Sequence, residues 1–228
     1  DATEYNSARS FCPPVTLETC VTTAISAPFI SSAKESVFTF LDAPAYHPAV
    51  AHVMPVRRAL KVPTIFNSLG PILSPARPEF QIMGVANPKL GRTIAEVFKE
   101  LGRGRAIVMH GAGTDEIAVH GPTQVWELRD GEIEEYTVTP DDFGVGTHQL
   151  ADLTGGDGAE NAEALRQVFN NTAPAAHRDA IAANAGAMFY LTGHADSYKE
   201  GTDKALGLLA DGTVKDWLQR HEEANYAK

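Results

Sequence analysis

FQIMGVANPKLGRTIAEVFKELGRGRAIVMHGAGTDE, residues 80–116, decides the fold. Its opening FQIMGV (80–85) is an apolar run of the kind that forms a buried strand. Asn87-Pro88 then supplies an N-cap and a proline at the first helical position. Ile94, Val97, Phe98 and Leu101 recur at helical spacing, and Gly102 closes the helix where a left-handed residue is wanted. AIVMH (106–110) is a second buried strand. Strand, helix and strand in about thirty residues predict a parallel pair joined by a right-handed crossover. The glycine turn HGAGTDE follows directly, at the carboxyl end of the second strand. Ligands of open α/β sheets bind at that edge.

Downstream, QVWEL and EIEEYTV flank Arg129-Asp130-Gly131 and read as a β-hairpin around an Asp-Gly turn. Thr139-Pro140-Asp141-Asp142 opens a short helical turn. A second glycine turn, Leu153-Thr154-Gly155-Gly156-Asp157, leads into a helix whose face is Ala162, Leu165, Val168 and Phe169. Residues 177–191 form an alanine-rich helix, apolar on most sides and so expected to be buried. Residues 197–210 form an amphipathic helix with Ser197 at the N-cap and Glu200 as the reciprocal member of a capping box. A charged helix, 213–226, ends the chain. The class is α/β, a sheet flanked by helices with a hairpin and a helical C-terminal part.

Upstream the texture differs. Residues 1–36 are rich in Ser, Thr, Ala and Pro, follow neither period, and are expected to be irregular. Residues 37–228 are expected to be the α/β domain, beginning with the strand VFTFLDAP that Pro44 ends. Residues 44–78 are dense in proline, with a helix expected over 49–60, a short piece over 63–69 and a Gly70-Pro71 turn. Such a path suits a binding loop or a connector that wraps the domain.

The chain has 228 residues, 43% hydrophobic and 21% charged, with a formal net charge of -10. That is enough for a substantial core, and it argues against nucleic acid or an anionic membrane as partner. No apolar run reaches the ~18 residues of a membrane span, and no signal peptide is visible at the start. Cys12 and Cys20 sit in no metal-ligand spacing. Cytoplasmic residence is expected.

Asp115 and Glu116 are the leading chemical candidates. Adjacent carboxylates beside a turn at a strand's carboxyl end suit magnesium, and equally suit a solvated helix start. Arg57 and Arg58 form a pair from which one guanidinium can grip a carboxylate or phosphate with two parallel bonds; surface charge is the alternative. His47 precedes them as a donor or as a structural histidine. Gly155-Gly156-Asp157 has the composition of a phosphate-cradling turn and also that of a loop closing onto an N-capping Asp.

HPAVAHVMPVRRALKVPTIFNSLGPILSPARPE (47–79), QIMGVANPKL (81–90), VMHGAGTDEIAVHGPTQVWEL (108–128), LTGGDGAENAEALR (153–166) and HRDAIAANAGAMFYLTGHADS (177–197) together resemble the anthranilate phosphoribosyltransferases of tryptophan biosynthesis. The resemblance is particularly close to actinobacterial, corynebacterium-like members, and it covers about residues 37–222. It implies a large α/β domain with a central, mostly parallel sheet, of the nucleoside phosphorylase and phosphoribosyltransferase type. It implies transfer of a phosphoribosyl group from phosphoribosyl pyrophosphate to the amino group of anthranilate, with Mg²⁺ on the pyrophosphate. By motif position Arg57 matches the arginine on the anthranilate carboxylate, and His47 and Pro44 match the wall of that site. Asp115 and Glu116 match the acidic pair that holds magnesium. The Gly155 turn falls at a family motif of the C-terminal part, away from the phosphate loop.

The family's helical domain, its Gly-Thr-Gly-Gly-Asp phosphate loop, its Asn-x-Ser-Thr motif and its Lys-His-Gly-Asn-Arg segment have no counterpart in this sequence. The expectation is therefore a truncated chain, with residues 1–36 read in a shifted frame, and with very low activity alone. The family homodimer rests on the helical domain and is not expected here. Two other readings share the fold: a pyrimidine nucleoside phosphorylase-like enzyme and a catalytically silent α/β domain.

Overall fold

Strand β1 (Phe80–Gly84) opens the sheet, and a 3-10 turn over Pro88–Leu90 leads from it into helix α1 (Gly91–Glu100). The computed structural model describes Ala59, Ile72, Leu73 and residues 77–226, with side chains as far as Arg220. The chain divides into two compact units, Asp1–Arg77 with Ala224–Lys228, and Pro78–Glu223. The second is described below. The expectations for residues 1–36, for the strand from Val37, for the segment 44–71 apart from Ala59, and for Pro44, His47 and Arg57 fall outside the described residues.

Asn87 caps the 3-10 turn, its side-chain oxygen accepting from Lys89 N at 3.1 Å. The missing proline N–H costs nothing there, because first-turn donors lack intrahelical partners. Gly102, at φ 71°, terminates α1. Its N–H donates to Lys99 O, and Arg103 N to Phe98 O, both at 3.0 Å, which satisfies carbonyls the helix leaves open. Strand β2 (Arg105–Gly111) returns beside β1 in parallel register, with Ile82 opposite Ile107. The parallel crossover is as the periodicity predicts.

Strands β3 (Thr123–Arg129) and β4 (Glu132–Val138) complete the order β1-β2-β3-β4. Both of their pairings are antiparallel, so the described part of the sheet is mixed, with one parallel pair. Asp130 and Gly131, at φ 52° and 79°, make the two-residue hairpin loop whose positive φ values match strand twist. Glu132, Glu134 and Glu135 of β4 are all exposed.

Four helices follow: α2 (Gly158–Phe169), α3 (Ala175–Leu191), α4 (Tyr198–Ala210) and α5 (Thr213–Tyr226). Strand alternation assigns the two sheet faces. Ile107, Met109 and Val125 share a core with Ala183, Ala187 and Leu191 of α3 and with Phe143 and Tyr198. Ala106, Val108, Trp126 and Leu128 point the other way, toward Ile94 and Phe98 of α1. The Ala-rich face of α3 is what lets it lie against the sheet.

Two sequence expectations are corrected here. Ser197 caps α4 by accepting from Glu200 N at 3.2 Å, but the Glu200 carboxylate accepts from Asp196 N, one residue earlier than a capping box requires. On α2 only Val168 is fully buried, and Leu165 is 40% exposed, because that face borders a cleft.

A polar joint ties the sheet to α3 and α4. Glu127, 4% exposed, accepts from Arg105 at 2.7 and 3.0 Å, from Tyr136 at 2.7 Å and from Tyr190 at 3.2 Å. Tyr136 and Tyr198 hydroxyls lie 2.7 Å apart, and Arg105 also donates to the Tyr190 and Leu191 carbonyls. Burial opposes the Arg105 charge, but the bonds and charge of Glu127 prevail and raise its pKa. Burial pushes the phenols of Tyr136 and Tyr198 far above their ordinary value, and the nearby Glu127 charge adds to the rise. A buried charge fully paired in this way resists rearrangement, since losing one partner strands the other.

Candidate functional site

The carboxyl ends of β1 and β2 are glycines, and the acidic turn rests on both. Gly111 and Thr114 exchange backbone bonds of 3.0 and 2.8 Å across a two-residue turn. Its central residues, Ala112 and Gly113, have φ 44° and 95°. The Thr114 hydroxyl donates to Gly111 O at 2.7 Å. The chain then folds back over the strand ends. A β-carbon on Gly84 would stand 1.5 Å from Asp115 O, and one on Gly111 would stand 2.2 Å from Glu116 O. Only glycine permits that approach. Ile117, the next residue, bonds through both backbone groups to Asn184 of α3.

This seating leaves the side chains of Asp115 and Glu116 exposed. They border a cleft of about 530 Å³ between the turn, α2 and α3. Its walls are largely apolar, with Leu153, Val168 and Ile181 among them, and two histidines enter it, His120 and His177. His120 Nε2 lies 3.2 Å from Ala112 O, so that nitrogen carries the proton. Its Nδ1 is buried without a hydrogen-bond partner. On the far side of α3, His148 Nε2 meets Asp179 at 2.8 Å, and Arg178 holds the other carboxylate oxygen.

The second glycine turn borders an adjoining hollow of about 390 Å³. Asp157 caps α2, accepting from Ala159 N and Glu160 N at 2.9 Å, and Glu160 accepts from Asp157 N at 2.8 Å. Gly156 N donates to the Asn161 side chain. The donors a phosphate would need are already bound to carboxylate and amide oxygens, so this loop is a helix cap.

The acidic pair suits a hard cation. Magnesium takes one or two carboxylates and keeps several waters, which an exposed pair beside an open cleft allows. Among the described residues no group of three or more His, Cys, Asp or Glu offers a closed metal cage. Arg57, His47 and Pro44 lie outside the described residues, so the structure brings together only Asp115 and Glu116 of the predicted set. Sequence reading missed His120, His177 and Asn184. His120 follows Glu116 by four residues in one motif, which is a weak signal; Asn184 lies in an alanine-rich helix and gives none. Among the described residues no helix is long and apolar enough to cross a membrane.

A βαβ unit with an acidic turn at its strand ends, flanked by a hairpin and α3, defines an α/β domain with its ligand edge at those strand ends, and sequence comparison assigns its family. The model "Glycosyl transferase family, a/b domain" matches residues 22–215, and the chain belongs to that family. The match starts ahead of Val37. The chain is 67% identical over 193 residues to an anthranilate phosphoribosyltransferase of Corynebacterium diphtheriae, covering 85% of this chain and 57% of that protein. It is 68% identical over 194 residues to that of Corynebacterium glutamicum, covering 85% and 56%. The chain thus spans about half the length of the curated relatives it matches. Among solved structures it is similar to the anthranilate phosphoribosyltransferase of Thermus thermophilus, with TM-score 0.78 and 37% identity over 87% of this chain and 59% of that one. The Saccharomyces cerevisiae enzyme in complex with PRPP and Mg gives TM-score 0.76 and 26% identity, over 87% and 57%.

Proposed function

We propose that this chain belongs to a pentosyltransferase that moves a phosphoribosyl group from phosphoribosyl pyrophosphate to anthranilate, giving N-(5-phosphoribosyl)anthranilate. The observation that carries the reading is the seating of Asp115 and Glu116 on Gly84 and Gly111, within a segment two-thirds identical to named anthranilate phosphoribosyltransferases. Asp115 and Glu116 would hold Mg²⁺, which when bound neutralises charge on a pyrophosphate leaving group. The glycine seat fixes the backbone that carries both carboxylates, so less ordering is left for the reacting complex. Arg57 is proposed to grip the anthranilate carboxylate through a charge-assisted fork, with His47 and Pro44 forming the wall beside it.

The test follows anthranilate fluorescence in the presence of phosphoribosyl pyrophosphate and Mg²⁺, with thymidine and phosphate in a parallel arm. Slow anthranilate consumption is expected, because no Gly-Thr-Gly-Gly-Asp loop occurs in this sequence. It should require Mg²⁺ and disappear in the double variant Asp115→Asn/Glu116→Gln. Thymidine phosphorolysis, or an unchanged rate in the double variant, overturns the reading.

A further inference from the structure

We propose that Asn184 of α3 is a positioning residue for the metal-holding pair, acting on it through the backbone of Ile117. The inference rests on the metal role proposed above for Asp115 and Glu116. Asn184 Oδ1 accepts from Ile117 N at 3.1 Å, and its Nδ2 donates to Ile117 O at 3.3 Å and to Ala180 O at 2.9 Å. One side-chain amide therefore takes both backbone groups of the residue that follows Glu116. The third bond, one helical turn back on α3, locks the amide orientation: Nδ2 faces two carbonyls, which fixes which end of the amide is the oxygen.

Three constraints converge on the acidic pair. Gly84 leaves room for the Asp115 carbonyl, Gly111 leaves room for the Glu116 carbonyl, and Asn184 clamps Ile117 from the helix side. The first two are passive, since they remove an obstacle. Asn184 alone among the three holds by attraction, and it comes from a point 67 residues along the chain. Without it, the segment after Glu116 would keep the bond from Ala118 N to the Thr123 hydroxyl at 2.9 Å, one residue further on. That bond anchors the end of the turn and leaves the orientation of the acidic pair unconstrained from α3. Asn184 touches no reacting atom in this arrangement. Its role is to keep two carboxylates aimed into the same cleft, and residues that orient metal ligands from behind typically change metal affinity by about 10–100-fold when removed.

Mn²⁺, a paramagnetic stand-in for Mg²⁺, provides the test through broadening of backbone amide NMR signals in the 228-residue chain. In the wild type, signals from residues 114–118 should broaden as Mn²⁺ is added. Asp115→Asn/Glu116→Gln should abolish that broadening. Asn184→Ala, and Asn184→Leu, which keeps the branching at Cγ, should each shift the titration to about tenfold higher Mn²⁺. Tyr136→Phe, which weakens the Glu127 joint at a distance, supplies a destabilised control that should titrate like the wild type. Broadening that is absent in the wild type, or that persists in the acid-pair variant, overturns the metal role itself. Loss in the acid-pair variant with wild-type titration in both Asn184 variants overturns the role of Asn184 and leaves the metal role standing. A shift in Tyr136→Phe equal to that in the Asn184 variants also overturns it, because general destabilisation would then suffice.

Discussion

The two glycine turns, Gly111–Glu116 and Thr154–Glu160, are written in nearly the same letters and do opposite things with them. In the first, glycine makes room for backbone, and the carboxylates of Asp115 and Glu116 stay exposed at the cleft. In the second, both carboxylates turn inward onto N–H groups at the start of α2. A glycine beside an acid is therefore ambiguous until the partners of the backbone donors are known. Where the helix behind the turn begins at once, its free N–H groups capture the acid. Where the turn instead lies across strand ends, those ends have no free donors aimed at it and the acid remains available.

Gly84→Ala is the harshest way to probe the contrast. The added carbon would meet Asp115 O at 1.5 Å, a backbone obstacle that cannot rotate away. A cost of about 3 kcal/mol is expected in urea unfolding, with loss of Mn²⁺ broadening. Gly156→Ala meets the Glu160 carboxylate instead, at 2.0 Å, and a flexible side chain can move. Its cost should stay near about 1 kcal/mol, the value of one lost capping contact. Equal costs would erase the distinction between the turns. Asp157→Ala should likewise cost about 1 kcal/mol and leave the Mn²⁺ titration untouched, since that carboxylate serves only the helix. Smallest in stability is Asp115→Asn/Glu116→Gln, whose melting midpoint should not move although metal binding is lost. A lower midpoint would mean that the pair supports the fold.

Much of this was legible in the sequence, and the reasons are local. The βαβ unit announces itself through Asn87-Pro88, the apolar spacing of Ile94 and Phe98, and Gly102, each of which acts within a few residues. Asp130-Gly131 dictates its hairpin for the same reason. The acidic pair could be placed at a sheet edge because a strand and a turn precede it directly. The cleft could not be foreseen, because α2 and α3 reach it from residues 161–181. Asn184 was invisible on two counts: its partner lies 67 positions away, and the helix around it is apolar on most sides, so no face is marked. Glu200 shows a smaller failure of the same kind. The capping-box spacing was present, yet the carboxylate found the donor one residue earlier, at Asp196. The role of residues 44–78 rests on motif resemblance, and Arg57→Ala is the variant that weighs it.

The Glu127 joint carries a consequence for proton linkage. Tyr136 and Tyr198 are held neutral by burial and by a carboxylate that already receives a hydroxyl proton. In the unfolded chain the same phenols ionise near about pH 10, so above that value the unfolded state has fewer protons than the folded one. Their contribution is complete below about pH 10 and drains away above it, by about 1.4 kcal/mol per pH unit for each phenol. Phenolate absorbance in the near ultraviolet should consequently appear for these two residues only as the fold is lost, and Tyr136→Phe should flatten the alkaline limb of the stability curve. The joint thus works as an alkaline fuse: the sheet and its two helices come apart together or stay protonated together.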